Sequence, residues 1–166
     1  MRRTILALAS ASLLIGLIAS PAAARQSGPT IVDTAIAVNA STGEFDHLIA
    51  AVSRTGLAPT LDGRRQFTVF APTDAAFERL FAALGVSGVN EIPVDTLRSV
   101  LLYHVVAGQR FSGDVLDSSR IRTLSKQFIH PSVRAGVPYV DDARIVSADI
   151  QASNGVIHVI DAVLLP

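Results

Sequence analysis

Residues 67–77, FTVFAPTDAAF, combine a β-strand and the start of a helix in one short stretch. The aromatic and β-branched residues up to Phe70 favour a strand. Pro72 ends that strand, because proline cannot donate a hydrogen bond to a sheet ladder. Either Thr73 or Asp74 can cap a following helix, since a short side-chain oxygen accepts a free N–H group of the first turn. The stretch therefore predicts a strand followed directly by a capped helix.

The helix predicted after this strand has one apolar face. Phe77, Leu80, Phe81 and Leu84 are spaced at i, i+3, i+4 and i+7, which places them on the same side of a helix. Gly85 follows and is a typical helix terminator. A strand and an amphipathic helix in immediate succession indicate a domain that contains both α and β structure.

Two further helices are predicted before this unit. The first covers 31–40 with Thr30 as its cap, and the second follows a capping box in which Ser41 caps forward and Glu44 reaches back. A connector over 57–66 carries turn-forming residues and joins these helices to the strand. The second helix presents an apolar face made by Phe45, Leu48, Ile49 and Val52.

Another helix is predicted after the connector that follows Gly85. Asp95 is its predicted cap, and the pattern changes from helix to strand near Leu102. Residues 103–106, YHVV, are β-branched or aromatic, so we predict that the strand begins with the tyrosine and the histidine.

The chain ends with two strands that form a predicted hairpin. They cover 145–152 and 156–165, and Asn154-Gly155 between them is a preferred pair for a tight turn. The last strand is apolar on both faces, which is typical of a strand covered on both sides. His158 and Asp161 are polar groups in these apolar rows, so we predict that both are hydrogen-bonded.

The first residues predict export from the cytoplasm. Arg2 and Arg3 precede an apolar run over 5–19, and small residues at 22–24 follow it. This pattern is typical of a signal peptide over residues 1–24, and the alternative is an anchor that remains attached. We therefore expect a secreted or periplasmic protein without a membrane span after cleavage.

Composition and motifs argue against several function classes. Loss of Arg2 and Arg3 with the leader leaves 12 basic and 14 acidic residues, a net charge of −2. The sequence contains no run of basic residues, so we expect no nucleic-acid partner. The absence of cysteine excludes disulfides and cysteine-ligated metals. The sequence shows no histidine pair typical of zinc sites and no catalytic or phosphate-binding motif, so we expect no enzyme, metal or cofactor.

Three segments together resemble the fasciclin domain family. They cover residues 68–77, 102–108 and 154–165, in the order and at the spacing of that family's motifs, and the resemblance extends over about residues 29–166. It implies an α+β fold, a wedge-shaped β-sandwich with several helices packed around it. One departure is Asp141-Asp142, where a glycine-containing turn is common in the family.

The resemblance also implies a function. We expect a secreted, non-enzymatic adhesion or interaction module at the cell surface or in the extracellular matrix, with a surface or matrix protein or a polysaccharide as its partner. The alternative is a periplasmic binding module for a small molecule, a lipid or a polysaccharide. The function is inferred from this resemblance by analogy between folds.

The candidate site residues fall into two groups. The tyrosine–histidine region of animal relatives is implicated in integrin binding, so the candidate recognition residues are Leu102, Tyr103, His104 and Val105. The alternative is that this region simply belongs to the core. The residues assigned to structure are Thr73, Asp74, His158 and Asp161. We also hypothesise that the Thr73-Asp74 cap lies close to His104 and ties the helix start to the central strand.

Overall fold

A computed structural model describes residues 28–166 of the protein, so the predicted signal peptide over residues 1–24 lies outside the described residues. None of the helices in the described part has the length and apolar character needed to cross a bilayer. The elements of this part follow the chain in the order α1 Ile31–Thr42, α2 Asp46–Thr55, α3 Ala58–Leu61, β1 Phe67–Pro72, α4 Asp74–Leu84, a 3-10 turn Val89–Glu91, α5 Val94–Tyr103, β2 Val105–Ala107, α6 Ser112–Leu116, β3 Ile121–Arg122, β4 Phe128–Ile129, β5 Pro131–Arg134, β6 Val137–Val140, β7 Ala143–Ala152 and β8 Gly155–Ile160.

The first and last strands lie side by side in the main sheet, and neither is an edge strand. This sheet has six strands in the order β2-β1-β8-β7-β6-β5, and β3 and β4 form a separate two-stranded sheet. β1 and β8 are parallel, with Phe67 opposite Gly155 and Phe70 opposite His158. Both strands are buried along their whole length, as predicted for the last strand.

The central strands separate two hydrophobic cores. Val69 and Ile157 belong to the core on the side of the main helices, where α1, α2, α4 and α5 contribute. Phe70 and Ile160 belong to the second core, together with residues of β3, β4, α6, β6 and β7. Because alternate side chains of a strand point to opposite faces, β1 and β8 contribute to both cores. The α+β fold expected from the sequence is confirmed.

The predicted capping box at Ser41 and Glu44 is wrong. Helix α1 continues through Thr42, and the hydroxyl of Ser41 donates to the carbonyl oxygen of Ala37 inside the same helix. Gly43, at φ 68°, ends the helix in the left-handed conformation that glycine adopts without strain. Ser41, which the sequence pattern assigned to a helix start, therefore lies in the last turn of the preceding helix.

Two connectors differ from their predicted form. The region predicted as a loop over 57–66 contains the short helix α3, which has Pro59 in its first turn, where a missing N–H costs no hydrogen bond. Helix α5 begins at Val94, so Asp95 lies within its first turn and is not its cap.

The final hairpin turns one residue earlier than predicted. Ala152 is opposite Gly155, so Ser153 and Asn154 form the loop and Gly155 is already in the strand. The Asn154 side chain is buried in this position. Its Oδ1 accepts a hydrogen bond from the N–H of Ile31 at 2.8 Å, so the hairpin is tied to the start of α1. β8 ends at Ile160, and residues 161–165, predicted as part of it, lie outside the strand.

Candidate functional site

Tyr103 is the last residue of α5 and is largely buried, with 6% of its surface exposed. Its hydroxyl lies 3.1 Å from the carbonyl oxygen of Phe128 and 3.2 Å from Oδ2 of Asp141. Asp141 is held in the β6–β7 turn at φ 52°, and its other oxygen accepts a hydrogen bond from the N–H of His130. Burial, reinforced by the charge and hydrogen bond of Asp141, raises the pKa of Tyr103 to about 12. Tyr103 therefore fastens α5 to this turn.

His104 caps the end of α5 and connects it to the C-terminal segment. Its Nδ1 lies 2.8 Å from the carbonyl oxygen of Val100, and the N–H of Leu164 donates to its Nε2 at 2.9 Å. Nε2 must be unprotonated to accept, so Nδ1 carries the proton and donates to Val100. Burial lowers the pKa of His104 to about 4, although the Val100 hydrogen bond opposes this effect. The ring is thus held as one neutral tautomer.

The predicted recognition residues do not form an exposed surface. Tyr103, His104 and Val105 are only 6%, 2% and 3% exposed, and Leu102 is partly buried against the helical core. The predicted strand start is also wrong, since Tyr103 ends a helix and β2 begins at Val105. The side chains of this region make internal contacts, so the structure favours the alternative in which the region belongs to the core.

Thr73 and Asp74 cap two different helices. The Thr73 hydroxyl oxygen accepts a hydrogen bond from the N–H of Ala76 in α4, as predicted. The Asp74 carboxylate reaches α2 and accepts hydrogen bonds from the N–H groups of Asp46 at 3.1 Å and His47 at 2.9 Å. The residue before α2 is a phenylalanine, which has no side-chain oxygen for this purpose. Asp74, at the start of α4, therefore supplies the N-terminal cap that the residue before α2 cannot provide.

Within the described residues, the side chains of Asp74 and His104 form no hydrogen bond with each other, and the closeness of the Thr73-Asp74 cap to His104 stays a prediction. Within the described residues, the Asp74 carboxylate bonds to the start of α2, whereas both ring nitrogens of His104 bond to Val100 and Leu164. The two side chains fasten different parts of the fold.

We predict that Asp74→Ala lowers the free energy of unfolding by about 1–2 kcal/mol, because two N–H groups of α2 lose their charged acceptor. Urea denaturation followed by circular dichroism measures the change. Asp95→Ala is the matched control, because Asp95 also lies in the first turn of a helix. Among the described residues, its carboxylate accepts no hydrogen bond from a helix N–H. Equal losses in the two variants would contradict the capping role of Asp74.

His158 and Asp161 are both hydrogen-bonded, as predicted. His158 is fully buried, with Nε2 3.0 Å from the carbonyl oxygen of Arg110 and Nδ1 accepting from the N–H of Asp149. Its pKa is lowered, chiefly by burial. Asp161 accepts a hydrogen bond from the N–H of Arg144 at 2.8 Å and forms an ion pair with the side chain of the same residue. Both side chains are therefore occupied in holding β7 and its neighbours in place.

An apolar cleft lies on the helical side of the sheet, between α1 and α2. Val32 and Ile36 of α1 and Ile49 of α2 line it, and Val69 of β1 lies among its sheet residues. Its volume is about 90 Å³, and Ser53 is the one polar residue among the described residues that line it. Ile36 is 48% exposed at this cleft. We call this feature the α1–α2 cleft.

Two carboxylates meet at the start of α1, beside the end of the α1–α2 cleft that Ile31 and Leu61 line. Thr30 precedes α1, and its hydroxyl oxygen lies 3.0 Å from Oδ2 of Asp33 and 2.7 Å from Oδ1 of Asp62. Asp33 also accepts from the N–H of Thr30, which completes the capping box of α1. Because Ile31 and Leu61 line the cleft, these acidic groups lie next to its lining residues.

The sequence of α1 contains a signal for this cleft that helical periodicity alone does not reveal. Residues 31–38, IVDTAIAV, are apolar on more than one side of a helix. Thr34 is buried while Ile36 is largely exposed, so α1 uses one side for packing and leaves apolar surface on another. A helix that is apolar beyond its buried face is a signal for a partner.

The histidine and carboxylate side chains described above make structural contacts. Within residues 28–166, no group of three or more histidine, cysteine, aspartate or glutamate side chains is placed to hold a metal ion. The buried histidines His104 and His158 and the carboxylates of Asp74, Asp141 and Asp161 bond to backbone groups and to neighbouring side chains.

The family-level comparison agrees with the fold. A family model described as the fasciclin domain matches residues 43–166. The chain belongs to the fasciclin family. The matched range contains every strand of the described part and five of its helices, α2 to α6. Helix α1, one wall of the α1–α2 cleft, precedes the matched range.

Bacterial and animal proteins are among its relatives. Protein sll1483 of Synechocystis is 40% identical over 87% of this chain and 77% of its own length. Immunogenic protein MPB70 of Mycobacterium bovis is 34% identical over 87% of this chain and 78% of its own length. Transforming growth factor-beta-induced protein ig-h3 of Sus scrofa is 34% identical over 74% of this chain but only 18% of its own length. The similarity thus extends over most of the length of these two bacterial proteins but over only one part of the animal protein.

A solved structure shares the fold. It is a FAS1 domain pair from the insect cell adhesion molecule fasciclin I, and it matches with a TM-score of 0.68 at 18% identity. The match covers 83% of this chain and 51% of the solved chain, which fits one domain of a pair.

Proposed function

We propose that this protein is a secreted, non-enzymatic interaction module of the adhesion type, and that it binds a partner protein through the α1–α2 cleft. The observation that carries the proposal is a preformed apolar depression with exposed apolar residues at a helix surface. Membership in a family that includes the cell adhesion molecule fasciclin I supports the adhesion class.

The volume of the cleft favours a side chain over a free ligand. Pockets for drug-sized molecules measure about 300–1,000 Å³, whereas the α1–α2 cleft measures about 90 Å³. A space of this size accepts a few carbon atoms. Burial of one aliphatic side chain contributes about 1.5–3 kcal/mol, which is the range of a binding hot spot.

The alternative ligands receive less support from the lining. A lipid would need a longer apolar channel than this volume provides. A polysaccharide is usually bound on exposed aromatic rings, and no aromatic residue is among those that line the cleft. The lining therefore supports a protein partner over the small-molecule, lipid and polysaccharide alternatives.

We predict that Ile36→Glu abolishes binding to the cells of the source organism, because a carboxylate at the cleft would be desolvated by the incoming apolar group. The measurement is saturation binding of the labelled, purified protein to intact cells. Leu84→Glu is the matched control, since Leu84 is 55% exposed on α4 and does not line the cleft.

The proposal requires that binding saturates, disappears when the cell surface is treated with protease, and survives in Leu84→Glu. Binding that resists protease would point to a polysaccharide or lipid and would overturn the protein partner. Equal binding by wild type and Ile36→Glu would overturn the role of the cleft.

A further inference from the structure

The acidic end of the α1–α2 cleft specifies its occupant further. We propose that the occupant is a segment of a partner protein in which an aliphatic side chain is adjacent to a lysine or arginine. This inference rests on the proposed function, since it concerns the chemistry of the partner at the same cleft.

The apolar part of the occupant is aliphatic. At about 90 Å³ the cleft has room for a few carbon atoms, which suits the branched end of an aliphatic side chain. Its lining is itself mostly aliphatic and includes Val32, Ile49 and Val69. Aliphatic groups of the occupant and of the lining can pack closely, which leaves no unfilled space in the cleft.

The charged part of the occupant is cationic. Asp33 and Asp62 approach the same Thr30 hydroxyl, which has a single proton and can donate to only one of them at a time. The start of α1 offsets part of the Asp33 charge, because a helix N-terminus carries partial positive charge. Asp62 is exposed and follows the short helix α3, so its charge is available to a partner.

The basic residues nearest in sequence do not neutralise this end. Arg64 and Arg65 follow Asp62 closely, yet within residues 28–166 neither forms an ion pair with Asp33 or Asp62. Arg54 follows the lining residue Ser53, and its guanidinium donates to the carbonyl oxygens of Val89 and Ile92. The cleft therefore combines an apolar depression with an unpaired acidic end, and a cation beside an aliphatic group complements both.

The test uses four capped dipeptides that separate the two contributions. They are Ac-Leu-Lys-NH2, Ac-Leu-Ala-NH2, Ac-Leu-Glu-NH2 and Ac-Ala-Lys-NH2, each titrated into the purified protein while backbone amide shifts are followed by NMR. We expect the leucine peptides to shift amides of α1, α2 and α3, and Ac-Ala-Lys-NH2 to shift none of them. Ac-Leu-Lys-NH2 should bind about threefold to fivefold more tightly than Ac-Leu-Glu-NH2 at low salt, the range of one solvent-exposed charge interaction.

Two controls locate the charge preference. Asp62→Asn retains an oxygen that accepts from Thr30 and should reduce the lysine-over-glutamate ratio to less than about twofold, without weakening Ac-Leu-Ala-NH2. Raising the salt from 50 to 500 mM should reduce the same ratio in the unmodified protein, because mobile ions screen exposed charges. A ratio that survives both changes would overturn the assignment to the acidic end.

The outcomes also separate this inference from the proposed function. If all leucine peptides bind the cleft equally well, the cationic partner is wrong and the aliphatic docking site remains. If no leucine peptide shifts α1, α2 or α3 at peptide concentrations of several millimolar, both the inference and the docking role of the cleft are wrong.

Discussion

Gly155→Ala is expected to lower the free energy of unfolding by about 3–5 kcal/mol, a large share of the 5–15 kcal/mol that stabilises a typical domain. A Cβ atom at this position would lie 2.0 Å from the carbonyl oxygen of Phe67 and 2.7 Å from Cδ1 of Ile31. The Ile31 side chain can move, but the Phe67 carbonyl belongs to the neighbouring central strand. Strands β1 and β8, both buried along their whole length, would have to separate.

Equilibrium denaturation in urea, or the yield of folded protein if the variant does not fold, measures this effect. Gly113→Ala is the matched control. Gly113 lies in α6, no atom lies within 4 Å of the Cβ added there, and alanine favours a helix over glycine. We expect Gly113→Ala to be as stable as the unmodified protein or slightly more stable. A loss below about 1 kcal/mol for Gly155→Ala would show that β1 and β8 are not packed this closely.

Sequence patterns predicted the elements whose signals are local. Pro72 ends β1, Thr73 caps α4 and Gly85 ends it, as residues 67–77 and their continuation indicated. Thr30 likewise caps α1. These features depend on neighbours within about one helical turn, which the sequence displays directly.

The side-chain partners that the sequence did not predict lie far apart in the chain. Asp74 caps α2 across 28 positions, and His104 accepts the N–H of a residue 60 positions away. A local sequence motif identifies the polar residue but not its hydrogen-bond partner, because the partner depends on how the helices and strands pack. The same limit applies to Asn154, which the Asn-Gly pattern assigned to a turn and which the fold uses to hold the start of α1.

The α1–α2 cleft was missed for a related physical reason. Each of its lining residues is an ordinary apolar residue of a helix or strand, and its shape arises only when α1, α2, α3 and β1 are assembled. The sequence showed that α1 has more apolar surface than one buried face needs. It could not show that this surface lies beside a depression.

The second large effect is expected from acidification and depends on His104. Its pKa is lowered from 6.5 to about 4 in the folded protein because the ring is buried. Below pH 6.5 the unfolded chain binds a proton at this residue, whereas the folded protein does not until the pH approaches 4. Stability therefore falls as the pH falls through this window, by about 3 kcal/mol at pH 4 from this residue alone. The lowered pKa of His158 adds a loss of the same sign.

Urea denaturation at pH 7 and pH 4.5 measures the acid loss, and His104→Gln assigns its origin. Glutamine retains an acceptor for the N–H of Leu164 but does not titrate. We expect the variant to lose about 2–3 kcal/mol less than the unmodified protein between these pH values. Equal acid losses in the unmodified protein and His104→Gln would contradict this account.

The hydrogen-bond geometry also predicts where the folded protein responds first. A proton on Nε2 of His104 would point at the N–H of Leu164, so both groups would be donors and the bond between them would be lost. Leu164 is buried in the second core, and the segment 161–166 has no strand partner beyond Ile160 in the described sheet. The protection factor of the Leu164 amide, which corrects exchange for the pH dependence of the intrinsic rate, should therefore fall on acidification before those of β1 and β8 do. His104→Gln should suppress that difference because its acceptor does not depend on pH.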